Sequence, residues 1–236
     1  MLKVNFTRPL KLLTRKVSGT SNLSKNQSEV LLNLINIDAS KKSEFYDLGC
    51  EFEKEFSGIG VDIEDESLFN EIIYKDIKNE NKISSKLLST SIHKMSVFSI
   101  YLKYVLKKGD LLIIEEPEAH LHPKNQRIFI KYIIRAINQG LRVMFTTHSD
   151  YIINQINNFI TLNNIPKEEL NELGYEKRDI LDFNDVNIYN FKMNDDNSYS
   201  SERIEINEYG FVEDNFSKIS TELYDETITI DNLSNR

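Results

Sequence analysis

One cysteine, Cys50, stands in a chain of 236 residues. An intrachain disulfide framework is therefore excluded, and a reducing compartment suits the chain. Long apolar runs are missing too. None approaches the roughly 18 residues needed to span a bilayer, and the opening MLKVNFTRPLKLL has no continuous hydrophobic core, which makes it a poor signal peptide. None of the eight glycines is followed by lysine, so the phosphate-cradling pattern G-x-x-x-x-G-K-[ST] is absent from this sequence. Acidic residues are missing between Lys3 and Lys25, where six basic residues fall; such a stretch can touch phosphate, but a solvated lead-in is the commoner case. The net charge is nevertheless −8, which argues against a nucleic-acid clamp formed by the whole surface. With 40% hydrophobic and 28% charged residues, the composition is that of a soluble globular protein, expected in the cytoplasm with no membrane partner.

What is present falls into four segments. Residues 1–27 form the basic lead-in, extended or partly disordered. Residues 28–85 read as a helical arm with connecting strands: apolar spacing over 28–57 predicts two helices, and VDIEDESLFNEIIYKDI predicts an antiparallel strand element. Residues 86–165 read as a core. A broadly apolar helix over 89–107 ends before Gly109, with Lys107 and Lys108 in its last turn. A strand at 111–114 follows, then a helix from Lys124 to Gln139 started after Pro123, a strand from Arg142 to Thr146, and a helix from Asp150 to Phe159. That order implies right-handed parallel crossovers. Residues 166–236 form an acidic α+β part, with strands expected at 186–193 and 203–206 and a helix at 215–223. No internal repeat is visible.

The chemistry concentrates in GDLLIIEEPEAHLHP, Gly109 to Pro123. Four consecutive apolar residues suit a strand buried on both faces of a parallel sheet. Charges at its carboxyl end lie where open α/β sheets bind their ligands. Side chains of adjacent residues on a strand point oppositely, so Glu115 and Glu116 can divide the work: one faces a metal while the other reaches a water. The next strand, RVMFTTHSD, delivers His148 to the same edge, where it can donate to a phosphate or orient water.

LLIIEEPEAHLHP followed by VMFTTHSDYI resembles the ABC-class ATPases, within them the OLD-like and related AAA proteins of bacteria that share the SMC-type head. The resemblance covers most of residues 28–225 and implies an α/β P-loop NTPase fold with a parallel sheet core and flanking helices. It also implies ATP and Mg²⁺ as ligands and ATP hydrolysis in an ABC-type dimer. Glu116 matches the catalytic glutamate after the Walker B strand, Glu115 the metal-binding carboxylate (an aspartate in the family pattern), and His148 the switch histidine. EAHLHP matches the D-loop, with His122 where transporters carry aspartate. LLSTSIHKMSVFSIYLKYVLKKGD resembles the signature helix, which places Ser89 and Ser91 at the γ-phosphate of ATP held by a partner subunit, although Thr90 and Ser91 stand where glycine is expected. DNA or an effector nuclease in DNA-repair or phage-defence assemblies are the partners that this family implies.

In the family the phosphate loop lies far upstream, so the sequence corresponds to the carboxyl-terminal half of an ATPase head, one that binds ATP poorly alone. Three explanations stay open: a truncated frame, a split ATPase completed by a separate Walker A half, or a degenerate non-hydrolysing interaction module. Together Glu115, Glu116 and His148 favour the first two. A rival from another class is a metal-dependent hydrolase using His120, His122 and His148 with Glu118, since H-x-H on an extended segment sets two imidazoles on one face. No nuclease motif is visible.

Overall fold

A computed structural model of the chain describes residues 2–5, 37–66, 69–212 and 214–234. The chain divides into two compact units, Met1–Gln155 and Ile156–Arg236. The first carries β1 (Leu2–Asn5), α1 (Tyr46–Phe56), β2 (Ile59–Glu66), β3 (Phe69–Asp76), α2 (Thr90–Ile100), β4 (Leu111–Glu115), α3 (Pro123–Asn138) and β5 (Arg142–Thr146). Helix α4 (Asp150–Thr161) runs across the boundary in the chain. Among the described residues no helix is long and apolar enough to cross a membrane.

A parallel sheet in the order β1-β4-β5 forms the centre of the first unit, with Leu112, Ile113 and Ile114 of β4 buried as the apolar run predicts. β1 is an addition to the sequence reading: LKVN, in the stretch expected as a lead-in, pairs in parallel with β4 from Leu2↔Leu112 to Asn5↔Glu115. β5 pairs with β4 in the register Leu111↔Arg142 to Glu115↔Thr146. It is apolar, as expected, but only half covered, with Met144 58% exposed. Among the described residues its other edge pairs with no strand. At the opposite end of the sheet, Gly109 and Gly140 adopt φ +84° and +102°, conformations open to glycine at little cost. They join their two loops through a 2.8 Å bond from Gly109 N–H to the Gly140 carbonyl.

Aromatic rings pack the helices together. Phe52 of α1 meets Phe98 of α2 at 5.2 Å and Tyr132 of α3 at 5.4 Å between centroids, and Phe98 meets Phe129 of α3 at 4.9 Å. Of the two helices expected over 28–57, α1 is one; residues 28–36 lie outside the described residues. β2 and β3 form the expected antiparallel hairpin, from Ile59↔Asp76 to Glu66↔Phe69. The helix expected over 89–107 splits into α2 and a π-helical turn, Tyr101–Val105, closed by Leu106 N–H on the Tyr101 carbonyl at 2.9 Å. Lys103 on that turn reaches the Val61 carbonyl at 2.6 Å and the Glu53 carboxylate at 3.3 Å, both its own and the Glu53 side chain being about 95% or more buried. Burial pushes the Glu53 carboxyl up, against the pull of Lys103 and the Ser99 hydroxyl.

In the second unit, β6 (Ile188–Met193) and β7 (Tyr199–Ile204) form an antiparallel hairpin, its second strand earlier than the expected 203–206. Helix α5 (Asp214–Ser234) runs well beyond the expected 215–223. Its β-branched threonines weaken the helical signal, yet Thr227 and Thr229 donate to the carbonyls four residues back, Leu223 and Asp225, at 3.0 and 2.9 Å. Around Phe159 the unit packs Tyr175 edge-on at 5.8 Å, and Asn157 holds Phe211 by both backbone groups at 2.8 and 2.9 Å.

Breaking a buried ion pair from one side strands the remaining charge. Lys103→Met is expected to lower the unfolding free energy by about 3–5 kcal/mol, and Glu53→Leu added to it to restore most of the loss. Urea denaturation followed by circular dichroism checks both.

Candidate functional site

The carboxyl ends of β4 and β5 carry the candidate residues. Glu115 is the last residue of β4, partly buried. Glu116 lies one residue past the strand, so the pleat alternation read from the sequence stops at Glu115. Glu116 takes φ +43°, the left-handed region, which a side chain with a Cβ adopts only at a cost. Its N–H is held by Thr146 of β5, on the carbonyl at 3.1 Å and on Oγ1 at 3.3 Å.

His148 follows two residues after Thr146. Its Nε2 stands 4.0 Å from Glu116 Oε1, with side chains 81% and 50% exposed. The structure thus brings Glu116 and His148 together from adjacent parallel strands, in the open. Electrostatic interactions there are weakened by water.

Ser89 is the N-cap of α2, its Oγ accepting from Ile92 N–H at 3.4 Å and lying 2.8 Å from Ser91 Oγ. Two hydroxyls therefore sit at a helix start, where oriented N–H groups favour anions. His122 is the N-cap of α3; its Nδ1 accepts from Lys124 N–H at 3.3 Å, with Pro123 in the first helical position. His120, also at positive φ (+67°), is exposed in the turn between β4 and α3. The rival metal centre does not assemble: among the described residues no three His, Cys, Asp or Glu side chains group as a metal requires. The Glu118 carboxylate instead accepts the His148 backbone N–H.

Two residues of this site escaped the sequence reading of the ATPase chemistry. Lys94, only 3% exposed, rises from the second turn of α2 beneath the β4–α3 turn. Its ammonium donates to the carbonyls of Glu116 at 3.0 Å, Pro117 at 3.3 Å and Ala119 at 2.9 Å. Burial pulls it down to about 8, while Glu118 and then Glu116 hold it up. Glu118 is the second, with its Oε2 buried and without a hydrogen-bond partner among the described residues. A lysine inside a broadly apolar helix is the signal that was available: an ammonium at such a position needs acceptors brought from elsewhere in the fold.

The AAA ATPase domain family model matches residues 16–153. Endonuclease GajA of Bacillus cereus (strain HuB5-5) is 41% identical over 68 residues, covering 25% of this chain and 10% of that protein. The chain thus spans about a tenth of the length of the curated relative it matches. Among solved structures, one from work on ATP-driven dimerization and DNA-stimulated activation of SMC ATPases aligns at 14% identity with a TM-score of 0.45, over 76% of this chain and 88% of that one. An SmcHead bound to the C-winged helix domain of ScpA aligns at 17% identity with a TM-score of 0.38, over 57% and 41%.

The left-handed backbone at Glu116 has a measurable consequence. Glu116→Gly is expected to raise the unfolding free energy by about 1 kcal/mol, whereas Glu116→Gln leaves it unchanged. Equal stabilities of the two variants in chemical denaturation mean that no strain is held at this position.

Proposed function

This chain belongs to the AAA ATPase domain family, and we propose that it supplies the water-activating part of an ABC-type ATPase head. The observation that carries the proposal is the approach of Glu116 and His148, 4.0 Å apart, at the carboxyl edge of two adjacent parallel strands. Hydrolysis of a terminal phosphate needs a hard cation on oxygen ligands, a base for the water, and donors for the charge on the transferred group.

In this reading Glu116 polarises the attacking water and His148 donates to the γ-phosphate. Glu115, the last residue of β4, would help hold Mg²⁺, which would neutralise phosphate charge when bound. Ser89 and Ser91, with the N–H groups of the first turn of α2, face ATP held by a second head subunit. His122, at the start of α3, lies on the D-loop side of the same dimer contact.

A lone carboxylate such as Glu115 suits only a magnesium ion that completes its shell with water and substrate phosphate, and the residues present do not suffice for the nucleotide, because this sequence contains no G-x-x-x-x-G-K-[ST] loop. We therefore assign the phosphate loop to residues outside it, in a complementary Walker A half. The half-bare β5, with Met144 exposed and one edge unpaired among the described residues, supports a partner that adds to the sheet there and covers the open carboxylate–imidazole pair. The GajA relative is an endonuclease; by analogy an effector nuclease or DNA is the downstream partner, in a cytoplasmic phage-defence or DNA-repair assembly.

The purified chain is expected to hydrolyse no ATP alone and to gain the activity on mixing with a half that carries the phosphate loop. In that complex Glu116→Gln is expected to lower kcat by about 10²–10⁴-fold, as read by phosphate release. Unchanged turnover in the variant removes Glu116 from the role given to it.

A further inference from the structure

We propose that Lys94 and Glu118 form a positioning brace that fixes Glu116 and His148 relative to the start of α2, so that the helix end facing one nucleotide sets the geometry of the groups acting on another. This inference deepens the ATPase reading above and rests on it for its chemical meaning. The geometry is independent of that reading.

The Lys94 ammonium has three protons, and three carbonyls of the β4–α3 turn lie within 3.3 Å of it. One of them belongs to Glu116, whose left-handed backbone is a conformation that a side-chain-bearing residue keeps only when its surroundings enforce it. The turn is further closed by Ala119 N–H on the Glu116 carbonyl at 3.2 Å and by Leu121 N–H on the Glu118 carbonyl at 2.8 Å. Lys94 therefore anchors, at its middle, the segment that aims Glu116.

Glu118 extends the anchor to the second strand. One carboxylate oxygen accepts the His148 backbone N–H, across 30 residues of sequence. The other is buried without a hydrogen-bond partner among the described residues. A carboxylate in that state is stabilised by a nearby positive charge, and the Lys94 ammonium, bonded to the carbonyls of Pro117 and Ala119 on either side of Glu118, is the cation placed to supply it.

The remaining link is α2 itself. Lys94 lies five residues after Ser89, the N-cap, within the first turn and a half of one continuous helix. A shift of the amino end of α2, where a phosphate would bind, moves Lys94 with it as a rigid body. The β4–α3 turn follows through three hydrogen bonds, and the His148 backbone follows through Glu118.

The test uses the complemented complex with Lys94→Met, Glu118→Gln and the double variant. Glu118→Gln keeps an acceptor for His148 N–H but removes the charge facing Lys94. Each single variant is expected to lower kcat by about 10–10²-fold, as misplacement of reacting groups by an ångström does, with KM for ATP changed by less than about threefold. The double variant is expected to match the worse single one, because both break the same link. Multiplying effects in the double variant, a loss confined to KM, or wild-type turnover in both single variants overturns the brace.

Hydrogen exchange on the isolated chain gives a readout that needs no activity. In both single variants, peptides over 116–121 and 147–150 are expected to exchange faster while those over 123–138 stay protected. If the unmodified complex hydrolyses no ATP, the ATPase reading fails and exchange alone judges the brace: unchanged exchange in both segments overturns it. Should Lys94→Met lose protection throughout, Glu118→Gln, on a partly exposed side chain, decides.

Discussion

Parallel pairing of β4 with β5 sets Glu115 opposite Thr146, and the carboxyl edge of the sheet takes its geometry from that register. Thr146 then holds the N–H of Glu116 from both its carbonyl and its hydroxyl, and two residues later the chain presents His148. Because side chains alternate along a strand, a slip of one residue would turn the buried Ile114 toward the opposite layer and carry Glu116 away from its anchors. Burial of Leu112 and Ile114, each about 1% exposed or less, is what makes such a slip costly. The apolar half of GDLLIIEEPEAHLHP thus fixes the position of its polar half.

Helix α2 and the π turn that continues it connect this edge to the rest of the first unit. Lys94 satisfies the turn after β4, and Lys103 satisfies the Val61 carbonyl of β2 and the Glu53 carboxylate of α1. Two buried ammonium groups, nine positions apart in sequence, tie one apolar rod to two different layers. Buried charges of this kind contribute little net stability. They instead penalise any arrangement in which their acceptors are elsewhere.

Much of this was legible in the sequence, and the pattern of what was not is physical. β4, α3 and β5 could be read because each has a local cause: a continuous apolar run, a proline at a helix start, a glycine at a turn. The β2–β3 hairpin was visible through alternation. β1 was not, because four residues, LKVN, acquire strand character only by pairing with β4, more than a hundred residues away. Lys94, and the part Glu118 plays in holding the His148 backbone rather than a metal, were hidden for the same reason. Their roles are defined by carbonyls and an N–H that sequence distance separates; a lysine inside an apolar helix says only that acceptors must come from somewhere, not from which turn. Glu115, Glu116 and His148 could be picked out from their places at the ends of apolar strands, and Ser89, Ser91 and His122 only through the family resemblance; the left-handed backbone at Glu116 was not legible, because a glutamate gives no hint of positive φ.

The π turn at Tyr101–Val105 has a consequence of its own. Such a turn holds one residue more than an α-helical turn would. Losing that residue would rotate one side of the rod against the other by about 100°. Lys94 and Lys103 could then not both meet their acceptors. The π turn therefore acts as an indexing element: it sets the angle between the part of the helix that meets the carboxyl edge of the sheet and the part that meets the hairpin, and a chain without it would have to find other acceptors for one of the two lysines.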